Sequence, residues 1–197
     1  MSPLERGGSP AVFLDRDGVI NRAVVRDGKP YPPNSLAEME LTPGAPEALA
    51  ALHRAGFQLI VVTNQPDVAR GATRRETVDE IHDYLRRTLP LDDIKVCWDA
   101  SETGSRCYKP APGLLLDAAA ERGIDLARSF MIGDRWRDVG AGKAAGTFTI
   151  LIECGYQETL KDQPDAIVRS LAEAVEIILA KSNFRSDPEW HPNPSRA

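Results

Sequence analysis

Five short apolar runs punctuate the chain: AVFLD at 11–15, FQLIVVT at 57–63, DIKVCW at 93–98, SFMIGD at 129–134 and FTILIE at 148–153. Their apolar character is continuous rather than alternating, which is the pattern of strands covered on both faces. Between the runs the spacing turns helical. Residues 46–55 carry apolar positions at helical intervals and stop at Gly56, while Thr73 followed by Glu76 has the form of a capping box for a helix through Leu89. Pro112 opens a helix through Arg122 that Gly123 ends, residues 136–145 form another before Gly146, and 170–181 form a last one. Strands alternating with helices predict an α/β fold with a doubly wound, mostly parallel sheet and no large cap domain.

Two stretches interrupt this rhythm. Residues 16–42 are too long for an ordinary strand-to-helix loop and contain Gly28, Pro30, Pro32 and Pro33, so they predict a flap over the strand ends. Residues 99–111 make a second irregular excursion. A single domain over 1–181 is expected, because 197 residues suffice for one ordinary core. The Pro-rich, polar segment 182–197 lacks periodicity and reads as a disordered or loosely docked tail.

Charge narrows the partners. The 24 Lys and Arg against 29 Asp and Glu leave a net charge of −5, which offers no broad footprint for nucleic acid or an anionic membrane. Any anion must be held locally. No apolar run approaches the roughly 20 residues that span a bilayer, and MSPLERGGSP contains no signal-like stretch, so the cytoplasm is the expected compartment; a monomer is expected there, although nothing in the sequence reports the oligomeric state. The odd number of cysteines (Cys97, Cys107 and Cys154) argues against a disulfide framework.

In an open α/β sheet ligands bind beyond the carboxyl ends of the strands, where the unusual polar residues of this chain fall. The first strand ends in Asp15, Arg16, Asp17 and Gly18, and the second in Thr63, Asn64 and Gln65. The excursion ends in Lys109 and Pro110, and the fourth strand in Gly133 and Asp134, with Asp138 one turn further on. Carboxylates, a hydroxyl and an ammonium on one rim suit phosphoryl transfer: carboxylates hold Mg²⁺, cations neutralise phosphoryl oxygens, and a carboxylate can serve as nucleophile. None of this needs a histidine, and His53, His82 and His191 carry no motif.

The segments FLDRDGVIN, LIVVTNQ, YKPAPG and MIGDRWRD resemble the haloacid dehalogenase superfamily over residues 11–152. That resemblance implies a phosphatase with Asp15 as nucleophile, Asp17 as general acid/base, Thr63 and Lys109 as phosphoryl ligands, and Mg²⁺ on Asp15, Asp134 and the backbone carbonyl of Asp17. Asp138 either braces Lys109, caps its helix or meets the metal. DRDGVIN and TNQPDVARG look like the heptose-bisphosphate and histidinol-phosphate phosphatase subgroup, which adds Asn64, Gln65 and Arg135 as substrate contacts and places Tyr31 in the flap. The resemblance implies a small sugar phosphate as substrate, best the 7-phosphate of D-glycero-D-manno-heptose 1,7-bisphosphate. Histidinol phosphate is the alternative, and a catalytically silent phosphate-binding module the alternative of another class.

The chain departs from the subgroup in the excursion. A zinc loop there has four Cys or His ligands, whereas Cys97, Asp99 and Cys107 offer three donors at most, so zinc is not expected. Cys97 then packs the strand and Cys107 is a loop thiol. Tyr108 stands where the subgroup carries an arginine that reaches substrate, which leaves Arg106 as the candidate replacement.

Overall fold

Ala11–Leu14 forms β1, and all four of its side chains are buried. The computed structural model describes residues 8–26, 29–156 and 158–185. After β1 come the antiparallel pair β2 (Val24–Arg26) and β3 (Lys29–Tyr31), then α1 (Ala45–Arg54), β4 (Gln58–Asn64), α2 (Pro66–Ala69), α3 (Arg75–Thr88) and β5 (Asp93–Cys97). The second half runs α4 (Gly113–Arg122), β6 (Phe130–Gly133), α5 (Trp136–Ala145), β7 (Phe148–Ile152), β8 (Ala166–Val168) and α6 (Leu171–Arg185). The main sheet has the order β5-β4-β1-β6-β7-β8, and every neighbouring pair is parallel.

Alternation along a strand explains why its apolar runs are continuous: successive side chains leave opposite faces, and here both faces are covered. Val12 and Leu14 of β1 join Leu59, Val61 and Ile132 in a core sealed by α1, α3 and α6. Ala11 and Phe13 join Ile60, Val62 and Met131 in a second core beneath α4 and α5. The α/β, doubly wound sheet expected from the sequence is the fold observed. Among the described residues no helix is long and apolar enough to cross a membrane.

Local differences from the sequence reading have identifiable causes. α3 begins at Arg75 with no side-chain cap, because the Thr73 amide closes the preceding turn onto the Asp67 carbonyl (3.2 Å) and the Thr73 capping box does not form. β8 and the hairpin β2–β3 are three residues each, too short to carry a period. The hairpin lies in the expected flap, whose base is closed by Arg22 N–H to Glu40 O (2.8 Å) and Thr42 N–H to Ile20 O (2.9 Å). Gly28 of that flap lies outside the described residues. α6 continues to Arg185, so 182–185 are helical rather than part of a tail; 186–197, His191 included, lie outside the described residues.

Adjacent leucines on α4 separate core from surface: Leu115 is fully buried and Leu116 is 39% exposed. Leu115→Ala is expected to cost about 2–5 kcal/mol of unfolding free energy, and Leu116→Ala about 1 kcal/mol or less. Urea unfolding of the two variants checks this, and equal losses would contradict the assignment of the second core.

Candidate active site

β1 and β6 are neighbours although they are far apart in sequence, so the sheet order reverses between them and opens a crevice at their carboxyl ends. Asp15 follows β1 and its amide continues the ladder to Ile132 O (2.9 Å), while Asp134 follows β6. The backbone between the two carboxylates has no room to spare. Gly18 sits at φ +95°, and a Cβ there would lie 1.8 Å from Asp134 Oδ2. A Cβ on Gly133 would lie 2.0 Å from the Cβ of Asp138.

Lys109 is buried at the centre. Its ammonium donates to Asp15 Oδ1 (2.7 Å), Asp138 Oδ1 (2.6 Å) and Val62 O (2.7 Å), so all three of its protons are placed. Asn64 clasps the backbone of the same residue, accepting from Lys109 N–H (3.1 Å) and donating to Lys109 O (3.2 Å). Asp138 also accepts from the Arg135 amide (3.1 Å), so it both braces the lysine and caps α5. Burial disfavours the charged ammonium, but Asp138 and Asp15 more than offset this and raise its pKa.

The carboxylates outnumber that ammonium. Atoms of Asp15, Asp134 and Asp138 lie within 4.8 Å of one another. Burial pushes the Asp15 carboxyl up to about 6 against the pull of Lys109, and burial with the charges of Asp15 and Asp138 raises Asp134 well above the carboxylate range. Both Asp134 oxygens are buried without a close hydrogen-bond partner among the described residues, and the Tyr156 hydroxyl and Lys109 offset the upward push on that carboxyl only in part. Orphaned hard oxygen donors beside a second carboxylate fit a hard divalent cation such as Mg²⁺.

Asp17 is held from behind. Arg16, with no exposed surface, donates to Asp17 Oδ1 (3.0 Å) and Oδ2 (2.8 Å), and its other terminal nitrogen meets His82 Nε2 (3.0 Å). Asn21 donates to Oδ1 (3.0 Å) and Gln65 to Oδ2 (3.1 Å). Burial alone would raise the Asp17 carboxyl; Arg16 and these amides overcome it and hold the group below its ordinary value. A cavity of about 470 Å³ opens over the site, with Asp15, Thr63 and Lys109 at its floor and Tyr31 of the flap in its wall.

Residues 23–146 match the model of the haloacid dehalogenase-like hydrolase family. The chain belongs to the haloacid dehalogenase-like hydrolases. It is 35% identical over 181 residues to the D-glycero-beta-D-manno-heptose-1,7-bisphosphate 7-phosphatase of Photorhabdus laumondii, covering 84% of this chain and 93% of that one. Identity to the Escherichia coli K12 enzyme of the same name is also 35%, over 184 residues, covering 86% and 93%. A crystal structure of the D,D-heptose 1,7-bisphosphate phosphatase from B. bronchiseptica, complexed with magnesium and phosphate, superposes with a TM-score of 0.75 at 31% identity, covering 87% of this chain and 99% of that one.

The hydrolase site brings Asp15, Asp17, Thr63, Asn64, Lys109, Arg135 and Asp138 to one cavity, with Asp134 beside them. Three substrate-side expectations change. Gln65 is buried and turned inward, donating to Asp17 and to Thr63 Oγ1 (2.9 Å), so it orients those groups instead of facing the cavity. Arg135 faces the cavity with its guanidinium already ion-paired to Glu158. Arg106 points away, in a two-pronged pair with Asp117 (2.7 and 2.5 Å). Cys107 is not a loop thiol: the excursion folds back until the Cα atoms of Cys97 and Cys107 are 5.5 Å apart, and the two form a disulfide. Cys97 packs in the second core as expected.

Sequence reasoning missed the Arg16–His82 contact, for which the only signal was a basic residue between two aspartates. Burial and then Arg16 push the His82 imidazole down to about 3. An unfolded histidine titrates near 6.5, so this group favours folding fully above that pH and progressively less as pH falls toward 3. His82→Gln is expected to remove a slope of about 1.4 kcal/mol per pH unit between roughly pH 6 and 4. Urea unfolding across that range checks it; parallel stability curves for the two proteins would contradict the buried neutral state.

Proposed function

We propose that this hydrolase is a Mg²⁺-dependent phosphomonoesterase that removes the 7-phosphate of D-glycero-D-manno-heptose 1,7-bisphosphate through a phosphoaspartate on Asp15. The observation that carries the chemistry is the Asp15 carboxylate against the buried Lys109 ammonium (2.7 Å), next to an Asp134 carboxylate whose oxygens have no close hydrogen-bond partner among the described residues. The substrate follows from the similarity to heptose bisphosphate phosphatases, which extends over more than four-fifths of the chain. A cavity able to take a sugar with an anion at each end supports it.

Asp15, Asp134 and the backbone carbonyl of Asp17 would hold the metal, which when bound neutralises charge on the phosphoryl oxygens and holds Asp15 ionised. A free Asp15 oxygen attacks phosphorus in line while the bond to the sugar oxygen breaks. The Thr63 hydroxyl donates to a phosphoryl oxygen, with Gln65 accounting for the other side of Thr63, while Lys109, its three protons on protein acceptors, acts on the phosphoryl group through its charge. The arriving phosphate is a like charge beside Asp17 and raises its carboxyl from the depressed resting value, so Asp17 takes up a proton and gives it to the leaving alkoxide. In the second step Asp17, again a carboxylate, removes a proton from water as the water attacks the phosphoaspartate, and inorganic phosphate leaves. Arg16 and the two amides keep the carboxyl aimed through both steps.

Asp15→Asn is expected to lower kcat for phosphate release by at least about a thousandfold in a variant that still unfolds cooperatively. Chelation with EDTA is expected to abolish turnover by the wild type, and added Mg²⁺ to restore it. Retained Mg²⁺-dependent hydrolysis by Asp15→Asn would refute the nucleophile assignment.

A further inference from the structure

Four cationic side chains line the cavity: Arg70, Lys109, Arg135 and Arg137. Three of them are already held by hydrogen-bonded acceptors. Lys109 lies on Asp15 and Asp138, Arg135 on Glu158, and Arg70 donates to Asp67 Oδ1 (3.3 Å) and Ala100 O (2.5 Å). Arg137 is different. Its Nε is buried with no hydrogen-bond partner among the described residues, and its ion pair, with the half-exposed Glu102, is a loose one at 3.8 Å with no hydrogen bond in it. Its guanidinium stacks 4.7 Å from the Trp136 ring centroid and stands 5.8 Å from that of Tyr108, which orients it without neutralising it.

The position is also an unusual one for a cation. Arg137 is the second residue of α5, where the helix dipole disfavours positive charge and favours an anion. A cation placed there, oriented by two aromatic rings and lacking a hydrogen-bonded counter-charge, is a prepared anion contact. It stands over Tyr108, the residue next to Lys109, and so on the part of the wall where the expected arginine is missing. Arg106 cannot replace that arginine because Asp117 holds it outside.

We infer that Arg137 is a specificity-determining residue that binds the second phosphate of the bisphosphate, the one that is not hydrolysed. This rests on the heptose bisphosphate reading and names the group that recognises the far end of the substrate. The contact is a charge-assisted, potentially two-pronged hydrogen bond from the guanidinium to phosphate oxygens, made when substrate binds and retained through the reaction. It therefore acts on KM more than on kcat.

The test compares kcat/KM for heptose 1,7-bisphosphate with that for heptose 7-phosphate, which lacks the far anion, in the wild type, Arg137→Met and Arg137→Lys. The ratio cancels any change in the fraction of folded enzyme. For Arg137→Met the ratio is expected to fall by about tenfold or more, chiefly through KM of the bisphosphate, with Arg137→Lys intermediate because it keeps the charge and loses the fork. A wild type that hydrolyses the bisphosphate, with a ratio unchanged within twofold in both variants, overturns the role of Arg137 and leaves the function standing. A wild type that releases phosphate from neither heptose ester overturns both.

Discussion

One ammonium among three desolvated carboxylates is the constraint on which this site depends. Asp15, Asp134 and Asp138 are drawn together at the reversal of the sheet order, and Lys109 alone among them carries positive charge. Taking like charges out of water is unfavourable unless they are paired or neutralised. The surrounding structure holds the arrangement by denying it alternatives: Asn64 fixes the lysine backbone, the Arg135 amide fixes Asp138, and Gly18 and Gly133 let the chain pass where a side chain would collide. The negative surplus that remains is what makes the site receptive to a divalent cation, and with the cation to phosphate.

The same logic divides Asp15 from Asp17, two residues apart. Asp15 faces the lysine and the other acids, and burial raises it to about 6; Asp17 faces a guanidinium and two amides and is lowered. Two identical side chains thus acquire opposite tendencies from what lies behind them. For Asp17 that support reaches as far as α3, because Arg16 bridges to His82.

Much of this was legible in the chain. Asp15, Thr63 and Asp134 each close an apolar run, so the strands that place them could be read, and continuous rather than alternating hydrophobicity implied a two-sided sheet; which helices cover which face, α1, α3 and α6 on one and α4 and α5 on the other, emerges only in the folded chain. What escaped was direction. Gln65 lies among residues that face the cavity but turns inward, Arg16 lies between two acids that line the cavity yet extends into the interior, and Arg106 leaves for Asp117. Nothing in local spacing states where a long side chain at a strand end or in an irregular loop will go. The Cys97–Cys107 bond was hidden for a related reason, since it depends on how far residues 99–111 fold back. The three-residue strands of the hairpin are too brief to hold a period.

Pro30 and Pro32 at the hairpin and Pro66 at the start of α2 all line the cavity. Proline has no amide proton, so those three positions present rigid apolar rings and carbonyls but no backbone donor to a sugar hydroxyl. Charged groups line the cavity at the floor and along α5, and also at Asp67 and Arg70 just beyond Pro66. At the prolines the chamber works more as a gauge than as a mould, since a rigid ring can limit the bulk of a ligand but cannot single out a hydroxyl by donating to it.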